Sequence, residues 1–274
     1  LDYSPSSLFT INHSQYLHAS TDELTIRSNT NSTYQWSFGV FGFHNDMRTN
    51  VLTTMQQGGI QSIMQPMFDE IHANNPRAPL MTVTSENIPM PGSFKTPTYG
   101  GAIFHQSTYN NLFVEGLSVT AGVRIDYEKT KLKYDTNIGM NLDVQMGSRP
   151  PIPMHADTLI NGSESMSFTE FLPKIALKYE FNDRHYAYFS LANGYKTGGY
   201  NIQMFADIVQ QALRGKYDAS EPSINVKDAV SYKPEYTWNY EVGFKGELIK
   251  NILYGEFSAF YIDVRDLQLT NFVN

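Results

Sequence analysis

Asp126 and Glu128 stand two residues apart, and on an extended strand that spacing puts both carboxyls on one side. A general acid and a general base can be arranged in this way. Cross-strand ion pairing accounts for the pair better. His13 and His18 sit five apart and the seven His are otherwise scattered, without metal-ligand spacing. No metal or other cofactor is expected. The absence of Cys removes disulfide frameworks, thiolate zinc sites and cysteine nucleophiles together. There is no nucleophile elbow, no phosphate-binding loop, no dinucleotide fingerprint and no His-Glu-x-x-His. Asn161-Gly162-Ser163 would accept a glycan only in a eukaryotic secretory route. The side chains therefore do not point to an enzyme.

The composition agrees. The 274 residues carry 20 Lys and Arg against 27 Asp and Glu, a net charge of −7 with no basic run. That is a poor match to a phosphate backbone, so nucleic acid is excluded as a partner. Only 17% of residues are charged, while 2 Trp, 18 Tyr and 17 Phe supply ample apolar surface, much of it suited to half-wet positions. No apolar run approaches the roughly 18 residues of a membrane-spanning helix. Closed barrels stay open, because alternation hides their apolar band from averaged hydropathy. The chain opens Leu1-Asp2-Tyr3-Ser4-Pro5, without the features of a signal peptide, and stops at Asn274 shortly after a strand-like run. Both ends read as cut.

The elements that carry these residues repeat with period two. Between Leu117 and Tyr127 one face is Leu117, Val119, Ala121, Val123, Ile125 and Tyr127, and the other includes Arg124 and Asp126. Pro173, Ile175, Leu177, Tyr179 and Phe181 lie opposite Lys174, Ala176, Lys178 and Glu180. Trp238, Tyr240, Val242, Phe244 and Leu248 lie opposite Asn239, Glu241, Gly243, Lys245 and Glu247. Tyr34, Trp36, Phe38 and Val40 form a fourth such run. Aromatics at the run ends with aliphatics between them are what two girdles around an apolar band produce. Further strands are expected near 16–28, 98–110, 185–195 and 252–266; the last three are apolar on both faces, which leaves their facing open.

The connections alternate short and long. Asn29 to Thr33, Asn111 to Gly116, Asn182 to Arg184 and Ile249 to Asn251 are short turns. Long segments, roughly 45–97, 131–167 and 196–236, fall between them. In an up-and-down meander this places every short turn at one end and every long loop at the other, as in outer-membrane barrels. Two long loops carry helical stripes. Ile60, Ile63, Met64, Met67, Phe68 and Ile71 form one; Met204, Phe205, Ile208, Val209, Ala212 and Leu213 form the other, with Gly215 as its C-cap. Both are expected to pack onto the loop bundle. Asn239, Glu241 and Lys245 sit on a polar strand face, where a water-filled lumen would let them pair across strands with Lys174, Lys178 and Glu180. Lys233-Pro234 forces an extended entry to its strand, and Gly198-Gly199 permits a tight reversal where a strand leaves the membrane.

Tyr188 to Asn201, with Ala192-Asn193-Gly194-Tyr195-Lys196-Thr197-Gly198-Gly199-Tyr200-Asn201 at its core, resembles a strand-to-loop segment of TonB-dependent outer-membrane receptors. Tyr232-Lys233-Pro234-Glu235-Tyr236-Thr237-Trp238-Asn239-Tyr240-Glu241-Val242-Gly243 resembles another, and Ser258 to Asp266 is similar to the strand that follows it. Gly116 to Tyr127 and Asp22 to Ser28 are similar to earlier barrel strands in the same order. The resemblance covers about two thirds of the chain.

It implies an all-β, antiparallel, transmembrane up-and-down barrel of 22 strands, of which about eight are visible, with long, partly helical extracellular loops. Residues 1–274 would be a partial barrel domain, with the family's plug domain absent from this chain. The implied function is active uptake of a scarce, bulky nutrient, a ferric siderophore foremost, energised by TonB through that plug. The partners are then TonB, a ferric siderophore or similar small molecule, and the lipid bilayer of a Gram-negative outer membrane. Ligand contacts are expected from Arg149, His155, Lys196, Tyr200, Tyr217 and Tyr232 at the long-loop end, groups suited to an anionic, aromatic-rich chelate. Arg124, Asp126, Lys174, Lys178, Glu180, Asn239, Glu241 and Lys245 would line the lumen. Pro76-Arg77-Ala78-Pro79 resembles a short motif of haem receptors but lies in the wrong loop, which argues against haem. The alternatives are a small passive or adhesive barrel, and a soluble carbohydrate-binding β-sandwich.

Overall fold

The structure, a computed structural model, describes residues 7–29, 32–218 and 224–269. The terminal segments and part of the Asn29 to Thr33 turn lie outside these residues. Eight long strands follow one another as an antiparallel meander: β1 (Phe9–Arg27), β2 (Tyr34–Met55), β4 (Ile88–Tyr109), β5 (Leu117–Gln145), β6 (Ile152–Asn182), β7 (His185–Lys196), β10 (Glu235–Ile249) and β11 (Leu253–Arg265). β3 (Leu80–Val83) takes up the edge of β5 beyond the end of β4, and β8 (Gly199–Tyr200) pairs with β9 (Ser231–Tyr232) as a two-residue ribbon. Among the described residues β1 and β11 do not pair with each other, so the sheet is an open arc of barrel wall.

Two of the short turns, 110–116 and 249–252, are built on left-handed residues. Asn111, Phe113 and Gly116 have φ of 57°, 64° and 84°, and Asn251 has φ of 61°. The Asn111 side chain accepts a hydrogen bond from the Gly116 amide at 2.8 Å, closing its turn. Only glycine fits at 116, because a Cβ there would sit 2.4 Å from the Glu180 carbonyl oxygen.

Two of the expected long loops are mostly strand. β2 continues to Met55 and β4 begins at Ile88, while β5 and β6, of 29 and 31 residues, are joined only through 146–151. The cause is a change of apolar phase at Tyr127. From Leu117 to Tyr127 the odd residues are the apolar ones, and Ile125 and Tyr127 are 40% and 45% exposed. Beyond it the even residues Leu132, Tyr134, Ile138, Met140 and Leu142 are buried, and Lys129, Lys131 and Lys133 take the odd face. The backbone period stays two throughout. A search for outward apolar residues therefore stops where the strand leaves the band, although the strand does not.

Register settles the facings left open. Tyr99, Ile103 and Tyr109 on β4 oppose Lys129, Ile125 and Val119 and share the banded face. Phe189 and Leu191 on β7 oppose Val242 and Tyr240, which in turn face Ala259 and Tyr261 of β11. The band is thus continuous from β2 to β11.

The opposite face is covered by the long loops. α1 (Gln57–Gly59), a π-helical turn (Ile60–Met64) and α2 (Gln65–Asn74) run on as one helix. Ile60, Met64, Met67, Phe68 and Ile71 bury against Met55, Met81, Ile88, Met90, Ile138, Met140, Leu142 and Ala156. Ile63, counted in the expected stripe, is 36% exposed because the wider π turn moves it off the buried face. α3 (Phe205–Tyr217) buries Phe205, Ile208, Val209 and Leu213, and α4 (Val226–Val230) adds Val230. Gly215 lies inside α3 and Asp218 follows as its cap, so the expected glycine cap is corrected by three residues. Both helices are packed, but chiefly against the inward face of β2 to β6 rather than onto other loops, which corrects the expected loop bundle.

At the short-turn end two hairpins are locked together. Glu247 accepts a hydrogen bond from the Asn251 amide and pairs with the Arg184 guanidinium, and the His185 ring contacts the Glu247 carbonyl oxygen at 2.9 Å. The backbone donor and the guanidinium hold the Glu247 carboxyl below its usual pKa. A depressed carboxyl contributes stability above its unfolded pKa and loses it as pH falls through the folded value. Protection factors at 250–253, which are exchange rates referred to the intrinsic rate at each pH, are therefore expected to stay constant above the ordinary glutamate pKa of about 4.3 and to fall below it. Glu247→Gln is expected to abolish that pH dependence.

Candidate functional site

The eight residues expected to line a lumen share one face. Arg124 and Asp126 of β5 and Lys174, Lys178 and Glu180 of β6 alternate with the band residues, and Glu241 and Lys245 of β10 oppose Ser190 and Tyr186 of β7, with Asn239 on the same side. Arg124 is the best-anchored cation. Its guanidinium meets Asp126 at 2.8–3.0 Å through two nitrogens and lies 5.3 Å and 5.7 Å from the ring centroids of Phe41 and Phe104. Such a fork-on-carboxylate geometry, with ring faces beside the planar cation, suits Arg and not Lys.

The expected cross-strand partners are corrected. β7 lies between β6 and β10, and two strand spacings put about 10 Å between them, beyond ion-pair reach. Glu241 instead accepts from the Tyr188 hydroxyl at 2.6 Å, and Lys245 pairs with Glu256 of β11 at 2.6 Å. Lys178 pairs along its own strand with Glu180 at 2.5 Å, as Asp126 does with Arg124. Asp126 and Glu128 are each 8% exposed. Glu128 is met by the Thr197 side chain, and Tyr236 donates to Glu170 at 2.9 Å. Acid–base chemistry at Asp126 finds no support here, since both its oxygens are taken by Arg124.

The ligand candidates lie on the long-loop side but not in one cluster. Arg149 is exposed in the 146–151 connection. His155 is exposed on β6, its Nδ1 2.9 Å from the Asn141 side-chain oxygen. Lys196 ends β7 and is exposed. Tyr217 is absorbed by packing, edge-on to Phe68 with centroids 5.8 Å apart, and burial, with Asp157 nearby, raises its pKa. Tyr232, 42% exposed, opposes Gly199. Tyr200 packs on the cluster around Phe94 and Phe205, and burial, with Glu164 adding to it, pushes its pKa up to about 12. Its hydroxyl is buried and has no partner among the described residues.

Gly198 and Gly199 are needed for a different reason than a reversal. Positive φ among the glycines is confined to Gly116 and Gly147. At 198 a Cβ would lie 2.5 Å from the Tyr232 carbonyl oxygen, and at 199 it would lie 2.5 Å from the Tyr232 hydroxyl oxygen. The two glycines let β8 and β9 close the root of the 197–234 loop. Lys233-Pro234 then leads directly into β10, which begins at Glu235. A residue that sequence reasoning missed ties this root shut. The Gln268 side-chain amide donates to the Thr197 and Lys233 carbonyls, each at 2.9 Å, and its backbone amide donates to Glu235 at 2.9 Å. A lone Gln after a strand gives no signal of such a role.

A family model described as TonB dependent receptor-like, β-barrel, matches residues 1–274. Among solved structures, the ferric yersiniabactin uptake receptor of Yersinia pestis superposes with a TM-score of 0.59 at 17% identity, over 97% of this chain and 31% of that one. The chain thus spans under a third of that receptor's length. The alcaligin outer-membrane receptor of Bordetella pertussis (10% identity, 90% of this chain, 44% of that one) and the ferric-catecholate import receptor of Escherichia coli K12 (11%, 91% and 41%) both superpose with a TM-score of 0.26.

Proposed function

The chain belongs to the TonB-dependent receptor β-barrel family of the Gram-negative outer membrane, and from that premise we propose that it is part of an active-transport receptor for a ferric siderophore. The family is one of receptors and transporters, not of enzymes, and we assign the chain no covalent chemistry. The observation that carries the reading is the division of labour between faces. One face is a bare apolar band; the other is lined with Arg124, Asp126, Lys174, Lys178, Glu180, Asn239, Glu241 and Lys245 and roofed by helical loops. A wall of this kind suits bilayer on one side and a hydrated, gated passage on the other. In this reading residues 1–274 are barrel wall. TonB delivers energy through a plug domain outside these residues, and the eight polar residues line the path.

The substrate class rests on family membership, with ferric yersiniabactin at the similarly folded receptor as precedent. Arg149, His155, Lys196 and Tyr232 are the exposed contacts this reading assigns, with Tyr217 supporting them from its packed position. The Tyr200 hydroxyl, buried without a partner among the described residues, is placed in this reading to donate to a chelate oxygen. The test is a panel of ferric siderophores titrated onto the whole receptor by intrinsic fluorescence. One member should saturate it, and Tyr200→Phe should weaken that binding about fivefold, the worth of one hydrogen bond. Failure of every ferric chelate to saturate the receptor would sink the reading.

A further inference from the structure

Where the apolar phase changes, cations take the outward face. Lys129, Lys131 and Lys133 alternate along β5 directly beyond Tyr127. None of the three has a carboxylate partner within ion-pair distance among the described residues. Register extends the patch sideways: Lys133 stands opposite Lys95 of β4, and Lys95 opposite Arg48 of β2. Like charges directly opposite one another destabilise a sheet. Asp46 relieves part of the row, 3.1 Å from Arg48 and 3.4 Å from Lys95. Asp135 is the other carboxylate on this outward face of β5 below its tip, and it opposes Ser93 and Asn161. Five cations against two carboxylates, in a chain of net charge −7, form a surface in want of anions.

The height of the patch narrows what supplies them. At about 3.4 Å per residue and a tilt of about 40°, Lys129 stands about 5 Å beyond Tyr127 and Lys133 about 16 Å. The headgroup layer of an ordinary phospholipid is only about 5–8 Å deep. The row of Arg48, Lys95 and Lys133 therefore overtops it. Facing the three lysines on β6 are Ser167, Ser165 and Ser163, a line of hydroxyls. We propose that this patch binds a phosphate-bearing glycolipid headgroup of the outer leaflet, with phosphates on the lysines and sugar hydroxyls along the serines. The patch continues the lipid-facing band upward, so the same lipid that covers Ile125 and Tyr127 below carries its headgroup past Lys129 to Lys133.

The probe is a bis-phosphorylated disaccharide lipid, added to the whole receptor in detergent and read by native mass spectrometry. Replacing the three lysines together (Lys129→Gln, Lys131→Gln, Lys133→Gln) should weaken binding on the order of a hundredfold, at about fivefold per cation. Enzymatic removal of the phosphates from the lipid should do the same to the unmodified receptor, which tests the site without any variant. Binding that survives either change overturns the proposal. Equal binding of phosphatidylglycerol would overturn the assignment to a glycolipid, and displacement by millimolar inorganic phosphate would show a free-anion site instead.

Discussion

Replacing Phe205 by alanine is expected to release α3 from the barrel wall while leaving the membrane band folded. Phe205 is 2% exposed and opens α3, and its ring lies 5.0 Å from that of Phe94 on β4 and 4.8 Å from that of Tyr134 on β5. Truncating a buried phenylalanine of this kind costs about 3–5 kcal/mol, from lost transfer energy and the cavity left behind. The loss is local, because the cluster it anchors contains Phe94, Leu132, Tyr134, Ile208 and Val230, all above the aromatic girdle at Tyr127. Amide exchange along 205–217 should therefore quicken by about two to four orders of magnitude, with β5 residues 117–127 unchanged. Phe205→Leu, which keeps most of the volume, should recover most of the protection. Unchanged exchange in α3 would show that the helix is held elsewhere. Collapse of the whole chain would show that roof and band are one cooperative unit.

The banded half of each strand was legible in the sequence because lipid imposes a single rule on it: apolar and aromatic side chains at every second position. Leu117 to Tyr127 and Pro173 to Phe181 obey that rule without exception. Above Tyr127 the rule is reversed by the loops, which bring Phe205, Phe68 and Met64 down onto the inward face. The apolar residues of Leu132 to Leu142 then point inward and the lysines outward, so a pattern tuned to lipid reads loop where strand continues. The same reversal hid the basic patch, whose lysines alternate with Thr130 and Leu132 and never form a run. The two loop helices were legible because 3.6-residue stripes are strong signals. The π turn at Ile60–Met64 was not, since no residue type marks it. Partner choice on the inward face was the least legible part. Types at 124, 174, 178, 241 and 245 said polar face, but only the strand order shows that β7 separates β6 from β10, and so that Glu241 must turn to Tyr188.

The sharpest consequence of the facing assignment is a pair of neighbouring arginine substitutions. Ile175 stands on the banded face of β6, 50% exposed, opposite Ala121 of β5 and Leu191 of β7, and midway between Phe171 and Tyr179. Ile175→Arg puts a guanidinium near the middle of the hydrocarbon layer and should destabilise the membrane-inserted chain by about 2–4 kcal/mol. Its neighbour Ala176 opposes Thr120 and Ser190 on the polar face. Ala176→Arg there has water and the Glu180 side of the wall within reach, so it should cost under about 1 kcal/mol. The comparison is made on the whole receptor by urea titration in lipid vesicles. A one-residue slip of register would exchange every side chain between faces, and the ranking of the two variants would then invert. Equal costs would mean that neither side of β6 meets lipid, and the barrel reading would fail with the facing.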